Sequence, residues 1–506
     1  MKNFMRTCRT CIGIVAVLGL TACGGGSSQS SQSSPPNATY QITGTVSGLS
    51  SGASINLQDN GADTLKVANN GGFSFPTALA NGASYRVSIS AAPSGETCTL
   101  VNPSGKVGTT NITNVQVACS ASSTPVSYTE TIVHSFGGFS GDGVYPMASL
   151  FMDASGNLYG TTYNGGGTNN TGTVFKITPS GQETIIYSFG SASNDGVDPQ
   201  SNLIMDTSGN LYGTTFGGGD VNYSGTVFKV TPNGQEIILH SFGSSGDGWG
   251  PNGGLIMDTS NNLYGTTNTY VGNNYYTSSG TVFKITPSGQ ETILHSFGGV
   301  SGDGQTPQAG LIMDTSGNLY GTTQYGGSNN NEGTVFKITP SGQETILYSF
   351  GSVSGDGQNP KAGLIMDTSG NLYGTTWSGG AYCSGTKSCG TVFKVTPNGQ
   401  ETVLYSFGGV SGDGQNPQAG LIMDTSGNLY GTTYGGGAYS STYSGGTVFK
   451  VTPNGQETVL YSFGGVSGDG QNPQAGLIMD TSGNLYGTTY SGGSNNSGTV
   501  FKLTAH

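Results

Sequence analysis

The sequence predicts an all-β protein: a seven-bladed β-propeller closed by N- and C-terminal strands that share one blade, preceded by a small β-sandwich. Glycine is unusually frequent, with 90 glycines in 506 residues, whereas only 8% of the residues are charged. A four-strand pattern recurs seven times after position 127, and the two ends of that region carry complementary parts of the pattern. A composition so rich in glycine and so poor in charge argues against an ordinary helical enzyme.

The first 22 residues have the order of an export signal. Lys2, Arg6 and Arg9 precede an apolar run over residues 12–20, which is too short to span a bilayer because a spanning helix needs about 20 apolar residues. The run ends in Leu-Thr-Ala before Cys23 and resembles a bacterial lipobox, in which the cysteine is lipidated. The resemblance implies a signal peptide over 1–22, a Ser/Gly-rich tether over 23–36, and a lipid anchor at the outer membrane or cell surface.

The other cysteines fit an exported chain. Cys8 and Cys11 leave with the signal peptide. The four that remain predict two disulfides, Cys98–Cys119 and Cys383–Cys389. Disulfides are usual in exported proteins, and neither spacing is Cys-x-x-Cys, so the pattern does not favour a zinc or redox motif at these cysteines.

Residues 37–120 predict a β-sandwich. Alternating runs, such as those over 40–46 and 85–89, are separated by turns that contain Asn-Gly, as is typical of antiparallel strands. The unit resembles the immunoglobulin-like modules that precede larger domains in bacterial surface lipoproteins. We expect it to act as a spacer, followed by a linker over 121–127.

Residues 128–506 consist of one repeated unit. Leu-Tyr-Gly-Thr-Thr begins at 158, 211, 263, 319, 372, 429 and 485, which gives a repeat of 52–57 residues. In the second copy, four strands are predicted over 203–205, 210–215, 225–230 and 236–242. Four antiparallel strands per repeat are typical of propeller blades.

The two ends of this region predict a closed ring. It opens with a fourth strand over 130–136 that has no preceding strands, and it ends with a third strand over 498–502 that has no successor. Together the two ends complete a seventh blade, and their pairing leaves no exposed sheet edge. An open array would need polar capping repeats, and the sequence has none.

The units Leu-Tyr-Gly-Thr-Thr, Gly-Gly and Gly-Thr-Val-Phe-Lys-Ile-Thr-Pro-Ser-Gly-Gln-Glu-Thr resemble the bacterial Gloeo/Verruco (GloVer) tandem repeat. The resemblance covers residues 128–506 in all seven copies. It implies an exported surface repeat protein and no particular reaction.

Most charges recur with the repeat and therefore belong to the scaffold. Each copy has one lysine in the third strand and one glutamate that opens the fourth. If the turn between them has two central residues, the lysine and glutamate form a surface pair across the hairpin, as Lys502 and Glu130 would in the shared blade. Within residues 128–506, only Asp198, Asp220, Glu332, Lys361 and Lys387 lie outside this pattern.

The sequence singles out no catalytic residues. A glycosidase needs two carboxyl groups a few ångströms apart, and no such pair stands out. His134, His240 and His295 occupy a fourth-strand position that is tyrosine in the other copies, which favours a half-buried ring with a polar tip. We leave the question of enzymatic activity open but favour a non-enzyme.

No metal or cofactor is predicted, with one weak alternative. The aspartate of Asp-Gly-x-x-Pro recurs in the loops that join the blades, and carboxylates on loops suit Ca²⁺. One carboxylate per loop is too few for a site by itself, so a turn-stabilising role is favoured. These weak candidates are Asp142, Asp195, Asp247, Asp303, Asp356, Asp413 and Asp469.

Aromatic residues mark the loop face as a candidate binding site. They follow Gly-Thr-Thr directly or closely, or lie in a joining loop, amid Asn, Ser and Gly. Such rings beside amides suit sugar faces and also adaptable protein recognition, although they also suit packing of the loops onto the blades. The candidates are Tyr163, Phe216, Trp249, Tyr270, Tyr325, Trp377, Tyr434 and Tyr490.

These observations predict a monomeric, surface-anchored binding or adhesion protein that recognises a neutral glycan or a protein. The alternatives are an enzyme that degrades extracellular polysaccharide and a purely structural envelope protein. The formal net charge of −12 argues against nucleic acid as a partner, because like charges repel. Contact with the membrane is expected through the lipid anchor only.

Overall fold

The computed structural model describes residues 38–49, 52–93, 96–121, 127–167, 169–244, 246–272, 275–277, 279–382, 389–440 and 445–506. The chain divides into two compact units, Met1–Pro125 and Val126–His506. Within the described ranges every regular element is a β-strand. No helix in this part of the chain is long and apolar enough to cross a membrane. The predicted signal peptide, Cys23 and the tether lie outside the described residues.

The first unit is built from two four-stranded sheets that share one core. Its strands are Thr39–Tyr40, Ile42–Ser47, Ile55–Asp59, Asp63–Val67, Gly71–Ser74, Leu79–Ala80, Ser84–Ala91, Glu96–Val101, Ser104–Lys106 and Ile112–Ala121. Ile42 and Val115 of one sheet and Leu57 of the other are fully buried in the same cluster. Cys98 and Cys119 lie opposite each other on paired strands and form a disulfide, as predicted.

The second unit repeats one four-stranded antiparallel sheet. The first strands are Phe151–Met152, Ile204–Met205, Ile256–Met257, Ile312–Met313, Ile365–Met366, Ile422–Met423 and Ile478–Met479. The second strands are Leu158–Thr162, Leu211–Gly218, Leu263–Gly272, Leu319–Thr323, Leu372–Thr376, Leu429–Thr433 and Leu485–Thr489. The third strands are Thr173–Ile177, Thr226–Val230, Thr281–Ile285, Thr334–Ile338, Thr391–Val395, Thr447–Val451 and Thr499–Ala505. The fourth strands are Tyr128–Ser135, Glu183–Ser188, Glu236–Ser241, Glu291–Ser296, Glu344–Ser349, Glu401–Ser406 and Glu457–Ser462.

Short strands also connect the loops of one face. They are Gly143–Val144, Asn164–Gly165, Gly196–Pro199, Gly248–Pro251, Tyr275–Thr277, Gly304–Gln305, Tyr325–Gly326, Gly357–Gln358, Ser378–Gly379, Gly414–Gln415, Gly435–Gly436, Gly470–Gln471 and Ser491–Gly492. In most repeats the strand in the joining loop pairs with one in the loop after the second strand. The two loops of a repeat are therefore held together by backbone hydrogen bonds.

The repeated Gly-Thr-Thr has a packing reason. A Cβ atom on Gly160 would lie 2.6 Å from the ring of Phe175, so glycine is needed for the close approach of the two strands. The hydroxyls of Thr162 and Thr173 are buried and hydrogen-bonded across the same pair of strands at 2.8 Å. The second and third strands are thus buried on both faces, as expected for the interior of stacked sheets.

The predicted pairing of the third-strand lysine with the fourth-strand glutamate is wrong. In the second repeat, Glu236 lies opposite Val230, and Lys229 lies opposite Ile237. The turn has three central residues instead of two, because the third, Gly234, adopts a φ of 81° and bulges out of the hairpin. One extra residue shifts the register by one and sends the glutamate to the other face of the sheet.

The same shift occurs where the two ends of the region meet. Glu130 lies opposite Leu503, and Lys502 lies opposite Thr131. Lys502 Nζ lies instead 5.5 Å from the centre of the Tyr486 ring, and each of the other third-strand lysines lies over the equivalent tyrosine. The lysine is therefore a cation–π partner within its own sheet.

The beginning and end of the second unit share one sheet. Tyr128–Ser135 pairs with Thr499–Ala505, which in turn pairs with Leu485–Thr489. The last and first repeats also meet just before their first strands, where the Gly476 N–H donates a hydrogen bond to Ser149 Oγ over 2.8 Å. The all-β architecture of repeated sheets is compatible with a β-propeller-like fold.

Candidate functional site

The joining loops carry a recurrent left-handed residue just before a proline. Its φ lies between 54° and 62° in every repeat, a conformation in which Thr306 and Tyr145 are strained because side chains with a Cβ rarely adopt it. These residues are Tyr145, Asp198, Gly250, Thr306, Asn359, Asn416 and Asn472. The residue that follows the proline is half-buried in every repeat.

The residues that follow these prolines line a common cavity of about 290 Å³. They are Met147, Gln200, Asn252, Gln308, Lys361, Gln418 and Gln474. Five are amides, which can both donate and accept hydrogen bonds. The residues that line the cavity include no carboxylate. A second cavity of about 360 Å³ is lined by the leucines and isoleucines of the first strands.

Lys361 is the one lysine in this cavity lining. Its Nζ lies 4.2 Å from the centre of the Trp377 ring, a cation–π contact. Burial lowers the pKa of Lys361. The lysine thus links the cavity to one of the predicted aromatic candidates.

Several of the predicted rings lie beside the left-handed residue of the next repeat. Tyr490 stacks on Tyr145 with ring centres 4.9 Å apart, and Phe216 meets Trp249 edge-on at 5.3 Å. Trp377 and Tyr434 are tilted neighbours at 6.0 Å. All six of these rings are half-buried. Together with Tyr163, they form what we call the aromatic rim, which comprises Tyr145, Tyr163, Phe216, Trp249, Trp377, Tyr434 and Tyr490.

Two of the predicted rings, Tyr325 and Tyr270, are not among the rim residues. Tyr325 is 38% exposed, and the rim position of its repeat is filled by Gln324, which hydrogen-bonds to Gln308 of the cavity. Tyr270 lies in the strand Leu263–Gly272, but its side chain is outside what the structure describes. Tyr163 belongs to the rim, and burial together with the charge of Asp198 raises its pKa.

Sequence reasoning missed Tyr145, which stands at the variable position before proline where three other repeats have asparagine. It also missed Tyr223, whose pKa is raised by burial and by the charge of Asp198. Asp198 is half-buried at the same left-handed position. The signal that could have revealed these residues is their departure from the repeat consensus.

Three acids of the second unit lie outside the repeat pattern, Asp198, Asp220 and Glu332. Burial alone raises the pKa of Asp198 and of Glu332. The clusters of three ligand-type side chains among the described residues include neither of these acids, nor Asp220. A pair of cooperating carboxyl groups is what glycoside hydrolysis requires.

The Asp-Gly-x-x-Pro aspartates are buried where neighbouring sheets meet. Asp142 Oδ2 accepts a hydrogen bond from the Gly138 N–H over 2.8 Å, which closes the joining loop. Each aspartate also faces the ring of the preceding fourth strand and the glutamate that opens the next one. Burial and the neighbouring aspartate raise the pKa of Glu183 to about 8 and that of Glu291 to about 9.

The structure describes only one cysteine of the predicted Cys383–Cys389 disulfide. Cys389 is buried, whereas Cys383 lies outside the described residues. Lys387 lies in the same undescribed stretch.

A sequence model of the Gloeobacter/Verrucomicrobia repeat matches residues 120–278, 167–387 and 383–506. No curated protein sequence matches this chain. Together the three matches cover the whole second unit.

Several solved structures are similar to the chain at low identity. One is a candidate gluconolactonase, with 12% identity and a TM-score of 0.40 over 76% of this chain and 94% of the other. Another is the extracellular domain of a candidate one-component system from B. thetaiotaomicron, with 14% identity and a TM-score of 0.46 over 83% of this chain and 53% of the other. A third is PorZ, a surface component of the type-IX secretion system of Porphyromonas gingivalis, with 12% identity and a TM-score of 0.43 over 86% of this chain and 54% of the other. The chain spans about half the length of the latter two.

Proposed function

The chain belongs to the Gloeobacter/Verrucomicrobia repeat family, and we propose that it is a lipid-anchored surface protein whose seven-bladed propeller binds a neutral glycan at the aromatic rim. The binding surface consists of the rim and the amide-lined cavity beside it. The single observation that carries this proposal is the combination of half-buried rings with a ring of amides and one lysine.

The sheet pattern supports the seven-bladed ring. Seven sheets of four strands follow one another, and the residue after each joining-loop proline contributes to the same cavity. The hydrogen bond from the Thr488 hydroxyl to Ala148 O spans 340 positions and repeats a contact made between consecutive repeats elsewhere. The last repeat thus meets the first in the way that neighbours meet.

Export and anchoring are supported by sequence. The lipobox-like run before Cys23 and the disulfide between Cys98 and Cys119 both suit an exported chain. We propose that the first unit is an immunoglobulin-like spacer, because its two sheets pack on one core. It would hold the propeller away from the membrane surface.

The chemistry of the surface favours a neutral polyol. Amides offer donors and acceptors to hydroxyl groups, and aromatic faces cover the apolar face of a sugar ring, as in mostly apolar sites with a few placed polar groups. A cavity lining with one half-buried lysine and no carboxylate gives little basis for a highly charged ligand. Hydrolysis of the glycan is not proposed, since the lining lacks the two carboxyl groups that it needs.

The test is a glycan array with the purified full chain carrying C23A, followed by calorimetry on any ligand that binds. We expect W377A and Q418A each to weaken binding of a neutral glycan at least about tenfold, which corresponds to about 1.4 kcal/mol. Y439A is the matched control, because Tyr439 is 58% exposed and lies outside the cavity lining and the rim. Failure to bind any neutral glycan, or equal affinity of W377A and wild type, would refute the proposal. If the chain binds a protein and no glycan, the proposed ligand class is wrong and a protein takes its place.

A further inference from the structure

A cluster of three side chains recurs wherever two neighbouring sheets meet. Its members are a ring from one fourth strand, the aspartate of the joining loop that follows, and the glutamate that opens the next fourth strand. We call it the joint cluster. The seven joint clusters are His134/Asp142/Glu183, Tyr187/Asp195/Glu236, His240/Asp247/Glu291, His295/Asp303/Glu344, Tyr348/Asp356/Glu401, Tyr405/Asp413/Glu457 and Tyr461/Asp469/Glu130.

At the four tyrosine joints, the hydroxyl occupies the space between the carboxyl groups. Tyr187 Oη lies 2.9 Å from Asp195 Oδ2 and 3.3 Å from Glu236 Oε2. Tyr348 and Tyr405 make the same bond to their aspartates at 2.9 and 3.0 Å. A hydroxyl both donates and accepts, so these joints have a hydrogen-bonded centre.

The three histidine joints are different: His240 Nε2 reaches Asp247 Oδ2 only at 3.3 Å, and the other two imidazoles lie beyond ordinary hydrogen-bond distance of their carboxyl groups. His134 Nε2 is 3.4 Å from Glu183 Oε2, and His295 Nε2 is 3.7 Å from Asp303 Oδ1 and 3.6 Å from the glutamate of its joint. Typical N–H···O distances are about 2.7–3.2 Å. Within the described residues, His134 Nε2, His295 Nε2 and both carboxylate oxygens of Glu183 have no hydrogen-bond partner.

These unpartnered groups are deeply buried. The Glu183 side chain is 4% exposed and that of Asp303 is 2% exposed. Leaving a buried polar atom without a partner costs about 1–3 kcal/mol. Within the described part of the chain, each carboxyl group of the tyrosine joints also has one unpartnered oxygen, so the joints of His134 and His295 are distinguished by a ring nitrogen that has no partner either. The arrangement therefore points to a partner that sits between the three side chains.

The spacing of the ligand atoms fits a small cation. In each histidine joint, one nitrogen and two carboxylate oxygens lie within 4.8 Å of one another, and the nitrogen–oxygen separations are 3.3–3.7 Å. Two ligands that are each about 2.0–2.1 Å from a tetrahedral zinc ion lie about 3.3 Å apart. An imidazole with two carboxylates suits Zn²⁺ and its transition-metal neighbours, whereas Ca²⁺ and Mg²⁺ prefer oxygen ligands alone.

We propose that the three histidine joints each bind one divalent transition-metal ion, with Zn²⁺ as the best fit, and that each ion links two neighbouring sheets. The histidine comes from one sheet and the glutamate from the next, so the ion bridges two neighbouring sheets. Three protein ligands leave one coordination position for water. These sites differ from the calcium sites considered for the joining-loop aspartates, because a nitrogen ligand and a second carboxylate complete them.

The chain supplies its own control, since tyrosine replaces histidine at the other four joints. The triple variant H134Y/H240Y/H295Y copies a solution that already exists in the same scaffold. The reverse change, Y348H, should create a fourth site. His506 and the cysteines are retained in all variants, so metal bound there cancels in the comparison.

The experiment measures zinc on the purified full chain without a histidine tag, after EDTA treatment and dialysis against ZnCl₂. We expect three more zinc ions per wild-type chain than per triple variant, and one more for Y348H than for wild type. Zinc should raise the melting temperature of wild type but not of the triple variant, and a hundredfold excess of CaCl₂ or MgCl₂ should not displace it.

Three results would overturn the proposal. These are equal zinc content in wild type and the triple variant, a Y348H chain that gains none, and displacement of the zinc by calcium. If the triple variant fails to fold, the single variants H134Y and H295Y, each expected to lose one zinc ion, provide the same test together with Y348H.

Discussion

Tyr461 Oη donates a hydrogen bond to Glu130 Oε2 over 3.1 Å, although 331 positions separate the two residues. The contact is the counterpart of Tyr187 with Glu236, which are only 49 positions apart. Glu130 stands in the first strand of the second unit, and Tyr461 stands in the last complete fourth strand. The joint between the two ends of this unit is therefore chemically the same as the tyrosine joints between consecutive repeats.

Removal of the strand Tyr128–Ser135 should destabilise the second unit. A chain that lacks residues 1–136 loses this strand and Phe136, which is fully buried. Truncating one buried aromatic residue typically costs about 3–5 kcal/mol, so we expect a loss of unfolding free energy of at least that size in urea titrations. A chain that lacks residues 1–125 is the control. Equal transitions in the two truncated chains would contradict the closed ring.

Stability should fall as the pH rises from about 4.5 to 7. Burial and the charge of Asp356 raise the pKa of Glu401 to about 7, from an ordinary value of 4.5. The folded chain then holds a proton that the unfolded chain releases in this window, so the stabilisation is complete below pH 4.5 and is lost as the pH rises through 7. E401Q should flatten the dependence of the melting temperature on pH, whereas D220N, at an exposed site, should not. Parallel profiles for E401Q and wild type would contradict this prediction.

At lower pH the opposite effect should appear. Hydrogen bonds from Asn210, Tyr212 and the Ser208 N–H lower the pKa of Asp206, against the effect of burial. Its stabilisation is present above pH 3.8 and is lost as the pH falls through the folded pKa. The other first-hairpin aspartates have lowered pKa values for the same reason. We therefore expect a stability maximum at mildly acidic pH, measured by calorimetry across the pH range.

The close approach of the second and third strands should not tolerate a methyl group at the glycine of Gly-Thr-Thr. In G160A the new Cβ would meet the Phe175 ring at 2.6 Å, and overpacking of this kind typically costs about 1–3 kcal/mol. G167A is the matched control in the same repeat, because nothing lies within 4 Å of its Cβ position. Chemical denaturation should separate the two variants, and equal stabilities would show that the strands can move apart.

Reduction of the disulfide should affect the first unit alone. Cys98 and Cys119 are 21 positions apart, and a closed loop of this length contributes about 3 kcal/mol by restricting the unfolded chain. The double variant C98A/C119A should lower one calorimetric transition and leave the transition of the second unit unchanged. A shift of both transitions would mean that the two units unfold together.

The strands of the second unit were predictable because the chain shows the same pattern seven times. The second repeat has strands at Ile204–Met205, Leu211–Gly218, Thr226–Val230 and Glu236–Ser241, within a few residues of the predicted bounds. Local patterns of apolar residues, turns and Gly-Thr-Thr determine these elements.

Register and contacts between repeats were not predictable in the same way. The assumption of a two-residue turn misplaced Glu236 by one position, and one position is enough to exchange the two faces of a strand. The joint clusters join residues of different sheets, and only the packed structure reveals that Glu183 faces His134. The contact between Lys361 and Trp377 was not predictable either, although Lys361 Nζ lies only 4.2 Å from the centre of the Trp377 ring.

The pairing of Tyr128–Ser135 with Thr499–Ala505 also sets an order of events in time. The first strand of the second unit is synthesised before the other strands of this unit, and its partner is synthesised after them. Until then, each end presents an unpaired strand edge, which is prone to wrong pairing, and contacts between such distant segments form slowly. The second unit can therefore complete its fold only after Thr499–Ala505 has been synthesised, so a chain interrupted before this strand would keep two open edges.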